Sequence, residues 1–398
     1  MHRSVLNNPF APGSGAVPDV WVGRDDELAD VEARLVPRRL AGLFERGRTY
    51  LGDPGLGKSV LVNRIADDRG RAGDLVAAPL RLARGRDPLA ALAAAVLPLV
   101  PSGERVASRI SRAVDRVRDV GLLGASVGVS APAEDRYTGL AELLGSLAAH
   151  AKSLGRLLVI RVDEVQNLAG DELSQLLTVL GDLLEARVPA STATGEEVEE
   201  YLPVVVLLSG LPQFAQQAED AGVTFSRRFA TAFLEPFTDD EVRAALTFAF
   251  ADGYPVVGDS GPTSVLMERR AGEALIERCL GDPFLFQLAG AAAWDAETGP
   301  VITADDVAAG WLRVRREVDA HVRNRVAGLT DWQLEVLTAA ATLGPAADGT
   351  AIARAVGRTR SSEIGSTLQG LVAKRLLAHD PAGYRIISRS LAAHLRAS

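Results

Sequence analysis

The chain carries the pattern G-x-x-x-x-G-K-[ST] at Gly52, Gly57, Lys58 and Ser59, which is the spacing of a phosphate-binding loop. Glycines let the backbone turn tightly, so that successive N–H groups point inward at phosphate oxygens. Lys58 would reach the β- and γ-phosphates, and Ser59 would ligate Mg²⁺. The residues predicted to bind nucleotide in this stretch are Gly52, Asp53, Pro54, Gly55, Leu56, Gly57, Lys58, Ser59 and Val60.

The flanking residues favour this interpretation over the alternative, a glycine-rich turn in an ordinary loop. Arg48–Leu51 is typical of a short strand, and Val60, Leu61 and Ile65 have helical spacing. Lysine is also scarce, since three of the 43 basic residues are lysines. A lysine at position 58 therefore indicates that a compact ammonium group is required there.

A second group of chemically active residues follows an apolar segment, Leu157–Val162, which ends at Asp163 and Glu164. At the end of a strand, Asp163 would hold the Mg²⁺ shell, and Glu164 would orient and deprotonate the attacking water. An apolar run followed by two acids is a weak signal alone, because many strands end in acidic turns. With a phosphate loop upstream, it indicates nucleotide hydrolysis.

Ser209 follows a further apolar segment, Val204–Leu208. Apolar strands that alternate with helices predict an α/β fold with a parallel sheet covered by helices on both faces. Ligands bind at the carboxyl ends of such strands, so Gly52, Asp163 and Ser209 are expected in one cleft. The alternative for Ser209 is a turn residue that merely ends its strand. Arg187–Glu200 is polar and small, and predicts a mobile surface loop.

Composition limits the class of protein. The only cysteine, Cys279, excludes a disulfide framework within the chain and fits a reducing cytoplasm. The sequence has no apolar run near the ~20 residues of a membrane span, and its N-terminus lacks the apolar core of a signal peptide. The formal net charge is −8. We therefore expect a cytoplasmic globular protein with no membrane contact.

With these residues placed, the chain resembles the AAA+ superfamily, in its origin-recognition-like and STAND-like branch. The resembling stretches read NPF…GRDDEL near the N-terminus, GDPGLGKS, VIRVDEVQNL, LLSGLP, and FSRRF followed by ATAFLEPFTDDEV. The resemblance implies a P-loop ATPase that binds ATP or ADP with Mg²⁺ and forms homo-oligomers. It spans nearly the whole chain, but only the two Walker motifs are specific.

The resemblance also implies roles for residues outside the Walker motifs. Ser209 looks like the γ-phosphate sensor, with Asn167 as a second candidate. Arg227 and Arg228 look like candidates for the arginine finger that a neighbouring subunit supplies, and the alternative is that either pairs with acidic neighbours on the surface. Gly23 and Arg24 would form a loop over the nucleotide base, or simply the turn that begins a helix.

One segment departs from the family pattern. Many AAA+ lids carry an arginine after Gly-x-Pro, whereas Phe284 follows Gly281, Asp282 and Pro283 here. This resembles the STAND version of the lid, which has no arginine at that place. It implies slow hydrolysis, or a switch that hydrolyses little.

The sequence predicts four segments, which are an extended arm (1–20), an AAA+ core (21–236), an all-helical lid (237–327) and a C-terminal winged helix (328–398). Residues 329–398 carry eight basic and five acidic side chains in an acidic chain. This local excess of positive charge is a modest indication of DNA binding. The candidates for contact with double-stranded DNA are Arg358, Arg360, Lys374, Arg375 and Arg385. The alternative is that the winged helix packs on the ATPase and reads its nucleotide state.

Two hypotheses follow. In the first, ATP-driven assembly lets the protein act on DNA or on a DNA-bound partner. In the second, a STAND-like switch with slow or no hydrolysis presents a surface to a protein partner. The missing lid arginine and the acidic overall charge favour the switch, whereas the Walker pair and the basic C-terminal segment favour action on DNA.

Overall fold

The computed structural model describes residues 2–13, 15–101, 107–122, 132–191, 194–221, 225–258 and 261–397. Its contacts divide the chain into two compact units. The sheet unit comprises Arg24–Gly52 and Leu61–Phe233, and the helical unit comprises Met1–Gly23, Asp53–Val60 and Leu234–Ser398. Asp53–Val60 thus groups with the C-terminal half of the chain, and the four segments above remain a prediction.

The sheet unit alternates strands and helices. In chain order its elements are α1 (Asp25–Asp30), α2 (Val36–Leu40), β1 (Gly47–Leu51), α3 (Lys58–Arg71, whose first turn belongs to the helical unit), β2 (Leu75–Val76), β3 (Leu80–Arg81), α4 (Pro88–Val96), α5 (Ala107–Asp119), α6 (Ala133–Ser153), β4 (Leu158–Asp163), α7 (Gly170–Glu185), β5 (Arg187–Ser191), β6 (Glu197–Tyr201), β7 (Val204–Gly210), α8 (Phe214–Asp220), α9 (Phe225–Arg228) and β8 (Phe229–Phe233). A π-helical turn, Val31–Leu35, joins α1 to α2.

The central sheet has six strands in the order β2-β4-β7-β1-β8, with β3 also paired to β4. All of these pairings are parallel. Every residue of β1 and β7 is buried, because a parallel sheet covered on both faces has no solvent side. The expected parallel α/β sheet is confirmed.

The prediction of a loop over Arg187–Glu200 is wrong. β5 and β6 form an antiparallel hairpin that pairs Arg187 with Tyr201 and Ser191 with Glu197. All residues of the two strands are exposed or half-buried. The hairpin's apolar residues, such as Val188 and Val198, are only half-buried. Polar and small residues dominate the segment, so its sequence lacks the strong apolar alternation that identifies strands.

The helical unit follows the sheet along the chain. Its elements are α10 (Asp239–Phe250), β9 (Tyr254–Gly258), β10 (Gly261–Met267), α11 (Arg269–Cys279), α12 (Pro283–Trp294), β11 (Val301–Ile302), α13 (Ala304–Asn324), α14 (Asp331–Leu343), α15 (Gly349–Ala355), α16 (Gly365–Ala373), β12 (Leu377–Asp380), β13 (Gly383–Ile386) and α17 (Arg389–Ala397). Capping boxes begin α10 at Thr238, α13 at Thr303 and α14 at Thr330.

The lid segment is not entirely helical, so that part of the expectation needs correction. β9 and β10 pair antiparallel, and β11 adds parallel to β10, which gives a three-stranded sheet. β-branched residues such as Val256 and Val265 are buried there, where they suit a pleated surface.

The N-terminal arm packs into the core of the helical unit. Phe10 stacks on Phe250 and meets Phe286 edge to face, with ring centroids 6.3 and 5.7 Å apart. A Cβ atom at Gly290 would lie 2.3 Å from the Phe10 ring, so only glycine fits at that position. The apolar burial explains why a segment without helix or strand is held in place.

The C-terminal part of the helical unit contains three helices, α14 to α16, followed by the antiparallel pair β12 and β13 and then α17. Buried residues from all three helices, such as Leu337, Ile352 and Leu368, join one core. Among the described residues, no helix is both long and apolar enough to cross a membrane.

Candidate functional site

The phosphate-binding pattern folds as a loop that leads into a helix. α3 begins at Lys58, as predicted, and φ is +88° at Gly55 and +80° at Gly57. Both values lie in the left-handed region, where a side chain is disfavoured. The Lys58 Nζ donates to the Asp53 carbonyl oxygen at 2.8 Å. Burial raises the pKa of the Asp53 carboxyl, and the charges of Arg325 and Lys58 oppose that rise.

Within the sheet unit, the carboxyl ends of three neighbouring strands lie side by side. The Gly52 N–H, just after β1, donates to the Gly210 carbonyl of β7 at 3.3 Å. The Ser209 Oγ donates to Asp163 Oδ1 at the end of β4, at 2.7 Å. Ser209 is fully buried, so its hydroxyl holds the aspartate carboxylate in one orientation and is more than a turn residue.

The Glu164 backbone is in the left-handed region, with φ +61°. Such a conformation in a residue other than glycine costs energy and is common at functional sites. Arg81 Nη2 donates to one carboxylate oxygen of Glu164 at 3.3 Å, and Gln166 Nε2 donates to the other. Sequence reasoning missed both partners. The only signal for Arg81 was its place at the end of a strand beside β4.

The side chains predicted to hold a metal ion carry hard oxygen atoms. Mg²⁺ prefers carboxylates, hydroxyls and phosphate oxygens, and protein sites supply one or two of these. The Asp163 carboxylate accepts two hydrogen bonds through Oδ1, from Ser209 and from the Glu164 N–H at 3.0 Å. The side chains predicted to hold the ion, the Asp163 carboxylate and the Ser59 hydroxyl, are of the chemical kinds that fit Mg²⁺.

The two candidate finger arginines differ in their surroundings. Arg228 Nε and Nη2 donate to the two carboxylate oxygens of Glu185 at 3.0 and 2.9 Å, and Nη2 also contacts Asp182 at 3.0 Å. Arg227 is exposed and makes no ion pair among the described residues. For Arg228, pairing with acidic neighbours is thus the arrangement observed, whereas Arg227 is available to a second molecule.

Contacts with nearby backbone account for the conformations of the remaining residues predicted at the nucleotide. The Asn167 Nδ2 donates to the Leu82 carbonyl at 3.0 Å, so the amide is tied to the backbone after β3. Gly23 and Arg24 have φ of +57° and +68°, and α1 begins at the next residue, Asp25. The turn that begins a helix therefore accounts for their conformation, and a role at the nucleotide base stays a prediction.

The five candidate DNA contacts lie beside α16 and on the β12–β13 hairpin. Arg375 forms an ion pair with Glu235, Arg358 lies over the Trp332 ring, and Lys374 Nζ donates to Gln333. Arg385 Nε is 3.8 Å from the Asp380 carboxylate, and Arg360 is exposed. α16 itself, Gly365–Ala373, contains no basic residue. Among the five predicted DNA contacts, the exposed pair Arg358 and Arg360 is therefore the one to test first.

Comparison with known proteins identifies the fold. No family model matches the chain, and no curated protein matches it. Among solved structures, the Walker-type ATPase PABY2304 of Pyrococcus abyssi is 14% identical, with 94% of this chain and 97% of that chain covered and a TM-score of 0.57. The Aeropyrum pernix ORC2 protein in its ADP form is 17% identical, with 97% and 95% covered and a TM-score of 0.50. The chain therefore has the P-loop NTPase fold, with a parallel central sheet and flanking helices.

Proposed function

We propose that this protein is an Mg²⁺-dependent AAA+ ATPase that uses nucleotide-driven assembly to act on DNA or on a DNA-bound partner. The observation that carries the proposal is the Ser209–Asp163 hydrogen bond at the ends of β7 and β4. β7 also pairs with β1, which runs directly into the phosphate loop. A phosphate loop, an oriented carboxylate and a second acid, Glu164, are the parts that NTP hydrolysis requires.

Each residue has a distinct role in this proposal. Lys58 and the loop amides bind the phosphate oxygens. Ser59 and Asp163 would hold Mg²⁺, which when bound supplies charge neutralisation on the β- and γ-phosphates. Ser209 keeps the Asp163 carboxylate oriented, and Glu164 takes a proton from the attacking water. Arg227 of a neighbouring subunit would stabilise the charge that develops on the transferred phosphoryl group.

Lys58→Ala is expected to weaken MgATP binding by about 100-fold, equivalent to about 2.7 kcal/mol, because the charge-assisted bonds to phosphate are lost. Titration with a fluorescent ATP analogue measures the change. Lys152→Ala is the control, since Lys152 pairs with Glu200 on the surface of the sheet unit. If Lys58→Ala binds MgATP as tightly as wild type, the loop is not the phosphate site.

DNA contact through the C-terminal segment rests on its charge and its exposed arginines. Arg358→Glu with Arg360→Glu is expected to weaken duplex DNA binding by about tenfold, because lost phosphate contacts reduce both affinity and its salt dependence. The control is Arg315→Glu with Arg316→Glu, an equal charge change at exposed positions of α13. Equal DNA affinity of the first variant and wild type would mean that this segment is not the DNA surface.

A second candidate function is a nucleotide switch whose target is a protein. The hydroxyl of Ser390, in the first turn of α17, contacts the carboxylate of Asp282 in the lid at 3.3 Å. This contact favours a C-terminal segment that packs against the rest of the helical unit. The switch predicts that ADP is retained through purification with little turnover. Chromatography of the nucleotide released on denaturation tests this, and a nucleotide-free protein that turns over rapidly would contradict it.

A further inference from the structure

A buried polar cluster in the helical unit joins four segments that are far apart in the sequence. Its centre is the carboxylate of Asp282, which is 1% exposed. Asp282 Oδ2 accepts from Arg325 Nη2 at 2.7 Å, lies 3.1 Å from His321 Nε2, and accepts from Ser390 Oγ at 3.3 Å. Its Oδ1 accepts from the N–H groups of Phe284 and Leu285 at 3.0 and 3.1 Å, which caps α12.

Electrostatics keeps this carboxylate charged. Burial would raise the pKa of Asp282, but the Arg325 guanidinium and the hydrogen bonds from His321 and the α12 amides together lower it below its ordinary value. A buried ion pair adds little stability relative to apolar packing of the same volume. Removing one partner is costly, however, because it leaves a buried charge without compensation. The ion pair between Asp282 and Arg325 therefore fixes the positions of these two side chains more than it adds stability.

Arg325 extends the cluster to the phosphate loop. Its side chain is 1% exposed, and its Nη2 also donates to the Pro54 carbonyl oxygen at 3.3 Å. Its Nη1 donates to Ser388 Oγ, in the segment that begins α17. One guanidinium thus contacts the loop, the start of α12 and the C-terminal segment.

His321 reinforces the contact with the loop. The His321 ring lies on Phe284, with centroids 4.5 Å apart. A Cβ atom at Gly55 would lie 2.4 Å from His321 Cε1. The end of α13 therefore packs directly against a glycine whose φ is +88°, and the loop cannot shift toward α13.

We infer that Arg325 is a positioning residue for the nucleotide site, which acts on the phosphate loop through the Pro54 carbonyl and is held in place by Asp282. This inference rests on the proposed function. A loop whose amides are already oriented binds phosphate more tightly, because less ordering remains for the ligand to impose. Because Ser388 holds the other arm of the guanidinium, the position of the C-terminal segment and nucleotide affinity are coupled.

The test compares Arg325→Gln with wild type in the full-length protein by titration with fluorescent analogues of ATP and ADP. We expect both nucleotides to bind about tenfold or more weakly, since the loop loses its donor and Asp282 loses its counter-charge. Arg3→Gln is a matched control, because Arg3 is equally buried, pairs with Asp306 at 3.1 Å, and in the described part of the chain donates to lid residues alone. The control is expected to lower the melting temperature and keep nucleotide affinity within about twofold of wild type.

A second readout separates positioning from general destabilisation. MgADP is expected to slow amide hydrogen exchange near Ser388 in wild type and in Arg3→Gln, but not in Arg325→Gln. Arg325→Lys keeps the charge but lacks the planar fork that reaches separate acceptors. Arg325→Lys is expected to bind nucleotide with an affinity between those of wild type and Arg325→Gln. If Arg325→Gln does not fold, the affinity of Arg325→Lys tests the inference instead, and an affinity equal to wild type overturns it.

The possible failures are distinguishable. If Arg325→Gln and Arg325→Lys bind nucleotide as wild type does, while Lys58→Ala does not bind, the inference is wrong and the proposed ATPase site stands. If wild type itself binds neither nucleotide, the proposed function fails, and the role of Arg325 fails with it. Equal losses of affinity in Arg3→Gln and Arg325→Gln would also overturn the inference, because they would show only damage to the unit.

Discussion

Glu164→Gln is expected to lower the rate of ATP hydrolysis by about 10³-fold, within the range of a lost general base. The amide cannot accept the proton of the attacking water. The substitution is nearly isosteric, and its oxygen can still accept a hydrogen bond from Arg81, which contacts Glu164 in the wild-type structure. MgATP affinity is therefore expected to stay within about threefold of wild type. Phosphate release and nucleotide titration measure the two quantities separately.

The control for this variant is Glu219→Gln, the same change at an exposed position of α8. It is expected to leave hydrolysis unchanged. Wild-type turnover by Glu164→Gln would remove Glu164 from the mechanism. Loss of MgATP binding in the same variant would instead assign Glu164 to binding and leave the general base unidentified.

Arg227→Ala is expected to lower the hydrolysis rate by about 10³-fold at protein concentrations where wild type is assembled, as removal of an arginine finger does. Arg228→Ala is expected to keep hydrolysis within about threefold of wild type, and to lower the free energy of unfolding by about 1 kcal/mol. The contrast follows from their contacts, since Arg228 is bound to Glu185 and Asp182, whereas Arg227 is exposed.

Mixing subunits shows whether the finger acts between molecules. Arg227→Ala subunits keep an intact catalytic site, and Glu164→Gln subunits keep an intact finger. A mixture of the two is expected to hydrolyse ATP faster than either variant alone. No recovery of hydrolysis in the mixture would mean that Arg227 does not act on a neighbour. If Arg228→Ala lost most of its hydrolysis rate and Arg227→Ala did not, Arg228 would be the finger instead.

Local sequence signals predicted much of the phosphate loop and of the central sheet. The helix start at Lys58 and the left-handed glycines follow from the pattern itself, because few residue types permit that backbone. Asp163 and Ser209 were expected at one edge because parallel strands align their carboxyl ends there. The hydrogen bond between them could not be predicted, since the strand order β4-β7-β1 depends on pairings between distant segments.

The helical unit shows where sequence reasoning failed. His321 lies on α13 and Arg325 directly follows it. Both are far along the chain from Pro54 and Gly55, and nothing in their local sequence distinguishes them from other residues of a charged helix. The strands β9 and β10 were missed because the surrounding helical periodicity led to an all-helical lid. Asp282 was noticed only as part of a segment that lacks an arginine, whereas Arg325, beyond that segment, contacts the phosphate loop.

The most direct test of the proposed ATPase is phosphate release per subunit as a function of protein concentration, with Mg²⁺ and with EDTA. We predict release that requires Mg²⁺, rises per subunit with concentration because a neighbour completes the site, and is absent in Lys58→Ala. A rate near zero at every concentration would contradict the proposal. If ADP is then released on denaturation, the protein is a nucleotide switch and not an assembling ATPase.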